Sequence, residues 1–309
     1  MSADATGAGV RGRPESGNSL LGDVVAVVLD YLSLTKPRII SLLLLTTVAT
    51  MFVADPAGPS LSVILWTMLG GYLAAGGAGA INHYLDRDRD ALMSRTSGRP
   101  LVTGRIDPIN GLIFGIGLGI AAFGQLWMTV NLLTAVLAMV GLLGYVLLYT
   151  LWLKPLTPQN IVIGGSAGAV PPLVGWAAAT GTLSWEAAWP FLIVFFWTPP
   201  HFWALSLMIK DDYARTGIPM LPVVRGEAHT RRQILLYAIV LLAVSLGPVA
   251  TGLLGGLYLA SALVLGVAFI GFAVLLERRA GERLALRTYL FSLAYLALLF
   301  IAMAVDAVA

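Results

Sequence analysis

The stretch that decides the fold runs from residue 76 to residue 90 and reads GGAGAINHYLDRDRD. It follows a long apolar run, and neither proline nor glycine interrupts residues 80–97, so the sequence predicts a helix that continues past the lipid boundary. Asn82, Asp86 and Asp90 recur every four residues. At this spacing side chains drift by only about 40° per step and rise by about 6 Å. They therefore share one face of the predicted helix.

An amide and two carboxylates in line offer the oxygen ligands that Mg²⁺ prefers, and this ion usually completes its shell with substrate phosphates. The face is suited to a magnesium-bound diphosphate, with Asn82, Asp86 and Asp90 as metal ligands. A plainer interpretation stays open, namely a solvated helix in which Arg87 and Arg89 pair with the acids beside them. The depth of Asn82 at the membrane edge, beneath a glycine-rich turn, favours the binding site.

The composition excludes several classes of protein. Of 309 residues, 58% are hydrophobic and 11% are charged, whereas an ordinary soluble domain has about 25% charged residues. A net charge of +3 is too small for a nucleic-acid-binding protein, which carries a basic stripe on a polar surface. Cysteine is absent, which removes disulfides, thiolate metal sites and thiol catalysis.

Nine apolar runs are long enough to cross a bilayer, for which a helix needs roughly 20 residues. We predict an all-α polytopic membrane protein with spans near 37–54, 61–81, 110–128, 131–150, 160–180, 187–209, 233–253, 256–276 and 286–306. The polar first 23 residues precede a short apolar run without a cleavage-site pattern, so we expect a retained, disordered tail. The predicted organisation is a tail with a short juxtamembrane segment over 1–30 and a nine-helix membrane domain over 31–309.

The 19 Lys and Arg residues all fall on one side of this topology, while the other side carries the acids Asp55, Glu186 and Asp306. Positive charge marks cytoplasmic loops. We therefore expect a multi-pass protein of the bacterial inner (cell) membrane. Its N-terminus and the loops after spans two, four, six and eight would be cytoplasmic, the acidic site would face the cytoplasm, and the C-terminus would lie outside.

A second polar loop follows the sixth span and, like the first, carries acidic residues. Residues 210–222 read KDDYARTGIPMLP and bring Asp211 and Asp212 close to the membrane end. Because the two acidic loops are four spans apart, the pattern suggests two four-helix repeats that face one another, with a ninth helix appended. Arg95 and Arg99, after the first cluster, are suited to clamp a diphosphate, although each is equally explained as a membrane-side anchor.

A histidine lies inside the sixth span, directly after a double proline. Residues 197–201 read WTPPH, and the prolines predict that the helix kinks or unwinds, which at membrane depth is tolerated only beside a cavity or the protein interior. His201 is suited to bond a buried carbonyl, to act as a base or to ligate haem iron. A histidine with a purely structural role is the other interpretation, and the residues alone leave these alternatives open.

Four strings resemble the UbiA superfamily of intramembrane prenyltransferases over about residues 30–300, and within it the branch that modifies haem. They are LTKPRI at 34–39, NHYLDRDRD at 82–90 with Arg95 and Thr96, TPQNIVIGG at 157–165, and WTPPH at 197–201 running into KDDY at 210–213 and GIPMLPVV at 217–224. The resemblance to the superfamily rests on the Asn-Asp-Asp pattern, and the resemblance to the haem-modifying branch rests on the other strings. In one departure, the superfamily usually spaces its second pair of acids by four residues, whereas Asp211 and Asp212 are adjacent.

The resemblance implies a magnesium-dependent transfer of the farnesyl group of farnesyl diphosphate to a vinyl group of haem b, with addition of water, which gives haem O. It implies catalytic and metal-binding roles for Asn82, Asp86, Asp90, and Asp211 or Asp212. It implies substrate-binding roles for Lys36, Arg38, Arg95, Arg99, His201 and Tyr213. Mg²⁺ is the implied cofactor. The implied partners are haem b, farnesyl diphosphate, the lipid bilayer and haem A synthase, and no nucleic acid is expected.

Two other functions remain open. A member of the same superfamily that prenylates an aromatic or quinone precursor with a longer chain would share every metal residue, and only the haem-branch strings argue against it. A membrane transporter also has broken helices and repeats, but it would carry its carboxylates near the bilayer midplane rather than at one face.

Overall fold

The computed structural model describes residues 19–309, which form helices joined by turns and loops, with no strand among them. The first 18 residues of the predicted disordered tail lie outside the described residues. The helices are α1 Ser19–Thr35, α2 Pro37–Ala54, α3 Leu61–Asp90, α4 Pro108–Thr129, α5 Leu132–Leu156, α6 Asn160–Thr180, α7 Trp185–Met208, α8 Lys210–Arg215, α9 Leu221–Val224, α10 Glu227–Ala250, α11 Gly256–Arg279 and α12 Glu282–Val308.

Helix α1 forms where the sequence predicts the end of a disordered tail and a juxtamembrane segment. It is held by contacts from later parts of the chain: Tyr31 packs edge-on against Phe114 of α4, with 5.0 Å between ring centroids, and Asp30 accepts a hydrogen bond from Arg105 at 2.9 Å. Leu34 is fully buried. Since these partners are distant in sequence, the local composition alone could not reveal the helix.

Nine helices in the described part of the chain are long and apolar enough to cross a membrane, namely α2 to α7 and α10 to α12. They match the nine predicted runs, so the all-α polytopic fold is confirmed. Side-chain caps fix several of the helix starts. Asp107 accepts from the backbone N–H of Ile109 at 2.8 Å, and Asn131 accepts from that of Thr134 at 2.8 Å, which satisfies donors that a helix N-terminus leaves free.

The spans form two four-helix repeats. One repeat consists of α2 to α5 and the other of α6, α7, α10 and α11. In the first, α4 packs against α3 and α5; in the second, α10 packs against α7 and α11. The first helices of the repeats, α2 and α6, pack on each other, and α12 contacts α2, α7 and α11. The contact between α2 and α6 depends on Gly175, because a Cβ there would lie 2.1 Å from the backbone oxygen of Thr47.

Helices α5 and α6 depart from a regular α-helix. Residues Gly144–Leu153 of α5 form a π-helical segment, a rare conformation that occurs mostly at functional sites. Helix α6 is interrupted at Ala169, just before its own proline pair. Helix α7 instead stays helical through Pro199 and Pro200, so of the two predicted outcomes, a kink or unwinding, the unwinding does not occur. The prolines cost hydrogen bonds, but the residues on both sides keep the helical path.

Candidate active site

The face predicted on α3 is present and buried. The helix runs unbroken to Asp90, and Asn82, Asp86 and Asp90 are 4%, 2% and 4% exposed. The face is therefore not solvated, although Arg87 and Arg89 do pair with Asp88 and Asp86, at 3.7 and 3.5 Å, as the plainer interpretation expected. Since lone carboxylates are rarely buried, the surroundings must supply further partners.

Hydrogen bonds orient Asn82 and Asp86 toward each other. Asn82 Nδ2 donates to Asp86 Oδ2 at 2.7 Å and, more weakly, to Thr150 Oγ1 at 3.2 Å. Its Oδ1 accepts from Lys36 Nζ at 2.7 Å. Asp86 Oδ2 also accepts from Lys154 Nζ at 2.5 Å. The two lysines come from the start of α2 and the end of α5, so three helices converge on these two side chains.

Asp90 closes the cluster with the loop that follows α3. Its carboxylate pairs with the guanidinium of Arg99, and its backbone oxygen accepts from the Thr96 hydroxyl at 3.0 Å. The loop therefore folds back over the helix end, which brings a second strong cation beside the acids.

Lys36 has an unusual backbone and an unusual charge. Its φ is 58°, a left-handed conformation that is uncommon for a residue with a side chain and that recurs at functional sites. Burial lowers the pKa of Lys36 to about 7, and the charges of Arg99 and Lys154 act in the same direction. An anion arriving beside its Nζ would favour the charged form again.

The second acidic pair is divided between two environments. Asp212 is buried and accepts from the hydroxyl of Ser94, in the loop after α3, at 3.0 Å. Burial alone would raise the pKa of Asp212, but the hydrogen bonds from Ser94 and the charge of Arg215 together lower it. Asp211 is exposed and lines a separate polar cavity with Lys210. Only Asp212 therefore joins the two acidic loops.

Tyr213, directly after Asp212, is buried. Burial raises its pKa to about 12, and the Asp86 carboxylate adds to this while Arg95 and Arg99 oppose it. The charges of the first cluster thus act on the second loop, which the bond between Ser94 and Asp212 holds against the loop after α3.

An apolar cavity of about 230 Å³ descends from this charged cluster between α2, α3, α5 and α6. Lys36 and Tyr145 stand at its charged end, with the Lys36 Nζ 5.8 Å from the Tyr145 ring centroid. Small and aliphatic side chains line the remainder, including Ile40, Leu43, Ala74, Ala78, Leu142 and Val174. The arrangement suits a ligand with an anionic head and a long apolar tail.

Two residues of this site were missed by the sequence reasoning. Thr150 and Lys154 lie 68 positions from their partners on α3, and the π-helical segment between residues 144 and 153 brings them there. The only local signal was Lys154 itself, a lysine at the end of an apolar span.

His201 lies apart from the charged cluster, in an aromatic stack. Its ring lies between Trp197, at 4.2 Å between centroids, and Tyr289, at 4.8 Å. Its Nδ1 is 2.7 Å from the hydroxyl of Ser292. Of the other residues predicted to bind substrate, Arg38 and Arg95 are exposed and are not drawn into the hydrogen-bonded cluster.

The donor set fits a hard divalent cation such as Mg²⁺. All candidate ligands are oxygens, and Asp86 Oδ1 is buried without a hydrogen-bond donor, although Arg89 Nη1 lies 3.5 Å from it. Within residues 19–309 no group of three or more His, Cys, Asp and Glu side chains is arranged to hold a metal by itself. A cation here would need Asn82 and ligand oxygens beside the carboxylates, as is usual for Mg²⁺.

The model of the UbiA prenyltransferase family matches residues 43–305. The chain is 53% identical over 289 residues to a protoheme IX farnesyltransferase from Roseiflexus sp. (strain RS-1), covering 94% of this chain and 54% of that protein. It is 54% identical over 282 residues to a protoheme IX farnesyltransferase from Symbiobacterium thermophilum, covering 91% of this chain and 94% of that protein. The chain thus spans about half the length of the first relative and nearly all of the second.

Solved structures share the fold at low sequence identity. One, from work on the biosynthesis of digeranylgeranylglyceryl phosphate synthase in membranes, has a TM-score of 0.75 at 17% identity and covers 92% of this chain and 99% of its own. A UbiA homolog from Archaeoglobus fulgidus bound to DMAPP and Mg²⁺ has a TM-score of 0.61 at 15% identity and covers 89% of this chain and 99% of its own.

Proposed function

The chain belongs to the UbiA prenyltransferase family, and we propose that it transfers the farnesyl group of farnesyl diphosphate to a vinyl group of haem b, with addition of water, to give haem O. The name protoheme IX farnesyltransferase, carried by relatives that match along nearly their whole length, supports this choice of acceptor. The product would be the substrate of haem A synthase, which makes that enzyme the expected partner.

The observation that carries the proposal is that the charged cluster and the apolar cavity meet at one side chain. The Nζ of Lys36 bonds Asn82 at 2.7 Å, and the same residue lines the cavity. A prenyl diphosphate is divided in the same way, into an anionic head and an apolar tail. Binding the head among the cations therefore puts the tail in the cavity.

The residues of the chain would act on the head by charge. Lys36, Lys154 and Arg99 neutralise the diphosphate as its bond to the prenyl carbon breaks, and fixed cations in a partly dry site are effective because they need no reorganisation. A Mg²⁺ ion on Asn82, Asp86 and Asp90, with Asp212 for a second ion, would add Lewis-acid stabilisation of the leaving oxygens. The solved homolog bound to DMAPP and Mg²⁺ supports this metal.

The residues around the tail would protect the allylic cation. The cavity wall is aliphatic, so stray water is kept from the carbon that loses the diphosphate. The vinyl group of haem b then attacks that carbon, and water adds to the cation that this leaves on the porphyrin side chain. We propose that His201, in its aromatic stack, positions the porphyrin.

One assay tests the reaction. Purified full chain in detergent receives haem b, farnesyl diphosphate and Mg²⁺, and mass spectrometry follows the porphyrin. We expect haem O from the unmodified chain, no product from Asp86→Ala or in EDTA, and normal product from Asp55→Ala, an acid at the opposite end of the helices. Product in EDTA would refute the metal-dependent mechanism, and prenylation of an aromatic acid instead of haem would favour the quinone-precursor alternative.

The cluster is proposed to face the cytoplasm, with the N-terminus on that side and the C-terminus outside. Because the chain has no cysteine, single cysteines report topology without background. A cysteine at exposed Ser97 should react with a membrane-impermeant maleimide only in opened cells, and one at exposed Ser184 should react in intact cells. The reverse pattern would refute this orientation.

A further inference from the structure

Three of the four directions around the His201 ring are occupied by protein. Trp197 and Tyr289 cover its two faces, with rings inclined by 18° and 26°. The Nδ1 edge meets the hydroxyl of Ser292 on α12 at 2.7 Å. Within the described residues, Nε2 has no hydrogen-bond partner, and this atom is not fully buried. The Nε2 edge is thus the open one.

The hydrogen bonds of Ser292 bear on which ring nitrogen carries the proton. Ser292 is fully buried, and its hydroxyl lies 2.6 Å from the backbone oxygen of Tyr289, which can only accept, and 2.7 Å from His201 Nδ1. When the single hydroxyl hydrogen is donated to that carbonyl, the hydroxyl oxygen accepts from Nδ1. In this arrangement the ring is the neutral tautomer with N–H at Nδ1 and a lone pair at Nε2.

A second contact holds the same frame rigid. Trp197 Nε1 donates to the backbone oxygen of Ser292 at 2.7 Å, so one turn of α12 fixes both the ring of His201 and the ring stacked on it. A histidine that binds a metal usually donates its other ring N–H to a nearby acceptor, which fixes the tautomer and raises ligand basicity. His201 and Ser292 have this arrangement.

The geometry of the stack is also compatible with the charged cluster. His201 lies seven residues before the end of α7 at Met208, about 10 Å along the helix axis, and α8, which carries Asp212, begins two residues later. Phe202, next to His201, packs toward Tyr213, with 6.5 Å between ring centroids. Through Phe202, the aromatic stack of His201 therefore adjoins Tyr213 of the second acidic loop.

We propose that Ser292 is a positioning residue that locks His201 as an Nδ1–H donor, so that the Nε2 lone pair coordinates the iron of the haem substrate. This inference rests on the proposed function, because it takes haem b as the acceptor. No electron is transferred in the step; the iron gains one neutral nitrogen ligand and the porphyrin gains a fixed orientation.

The test is a titration of the full chain in detergent with haem b, without farnesyl diphosphate, followed by optical absorption and electron paramagnetic resonance. We expect a histidine-ligated signature in the unmodified chain, its loss in His201→Ala, and its return when imidazole is added. Ser292→Ala should weaken haem binding about 10- to 100-fold, the usual cost of removing such a supporting hydrogen bond. Ser292→Thr, which keeps the hydroxyl, should restore most of the affinity.

Ser245→Ala is the matched control. Ser245 is equally buried and bonds a neighbouring helix through Tyr295 at 2.9 Å, so its loss perturbs packing without touching His201. A Ser292→Ala chain with the affinity and spectrum of Ser245→Ala, or a His201→Ala chain that keeps the histidine signature, would overturn the inference.

Haem O formation is measured in parallel: if the unmodified chain makes haem O while Ser292→Ala binds haem normally, only this inference fails. If the unmodified chain neither binds haem nor makes haem O, the proposed function fails with it.

Discussion

Lys154→Met should impair turnover far more than Lys210→Met, the replacement of an exposed lysine of the second acidic loop. Lys154 donates to Asp86 Oδ2 at 2.5 Å, and the two side chains are 13% and 3% exposed. Methionine keeps most of the apolar stem and removes the charge. The change therefore leaves a buried carboxylate short of one cation, and it removes a positive charge beside the place where the diphosphate would leave.

The replacement is expected to lower both the stability of the fold and the rate of the reaction. Removing one partner of a buried ion pair costs about 3–5 kcal/mol of stability, and in this cluster Asn82, which also donates to Asp86 at 2.7 Å, softens the loss toward the lower end. Removing one preorganised electrostatic group from an active site costs about 10²–10³ in rate. We expect a loss of that order in kcat/KM for farnesyl diphosphate, with most of it in kcat.

The assay is the rate of haem O formation at varied farnesyl diphosphate, with a thermal melt of each variant in detergent to separate folding from catalysis. Lys210→Met is the matched control, since Lys210 is 36% exposed and pairs with Glu227, which is 46% exposed. Such surface pairs contribute about 0.2–1 kcal/mol. If Lys154→Met and Lys210→Met turn over at the same rate, the role given to Lys154 is refuted.

Two further predictions concern the second acidic loop and the packing of the repeats. Asp212→Asn should reduce kcat/KM by roughly 10²-fold or more, while Asp211→Asn should stay within several-fold of the unmodified chain; equal losses in the haem O assay would contradict the division of the pair. Gly175→Ala should lower the melting temperature, because its Cβ would lie 2.1 Å from the backbone oxygen of Thr47 and overpacking costs about 1–3 kcal/mol or more. Gly124→Ala, where nothing lies within 4 Å, should be neutral or slightly stabilising, and the reverse order of melting temperatures would count against the packing of α2 on α6.

The helical features were predictable because their physics is local. A run of apolar residues determines a span by its own length, and a spacing of four residues puts Asn82, Asp86 and Asp90 on one face of any regular helix. At Pro199 and Pro200 a kink or unwinding was predicted, and the unwinding does not occur, because neighbouring hydrogen bonds can carry a helix past two missing donors. Helix α1 was missed because Phe114 and Arg105, which hold it, come from far along the chain.

The choice between Asp211 and Asp212 shows where local reasoning ends. Adjacent residues on a helix point about 100° apart, so only one of them can face a given neighbour. The sequence cannot say which, because the answer depends on how α8 docks on the loop after α3. In the structure that neighbour is Ser94, 118 positions away from Asp212.

The nine spans and the acidic face of α3 could be read from the sequence, because they follow from periodicity and hydrophobicity within single helices, and the spacing of the two acidic loops suggested the two repeats. The tertiary structure alone decided that this face is buried rather than solvated. It also supplied Lys36 and Lys154 as the partners of Asn82 and Asp86, and it left the Nε2 edge of His201 open. These are properties of contacts between segments, and their energies come from desolvation and charge pairing that exist only after the helices have packed.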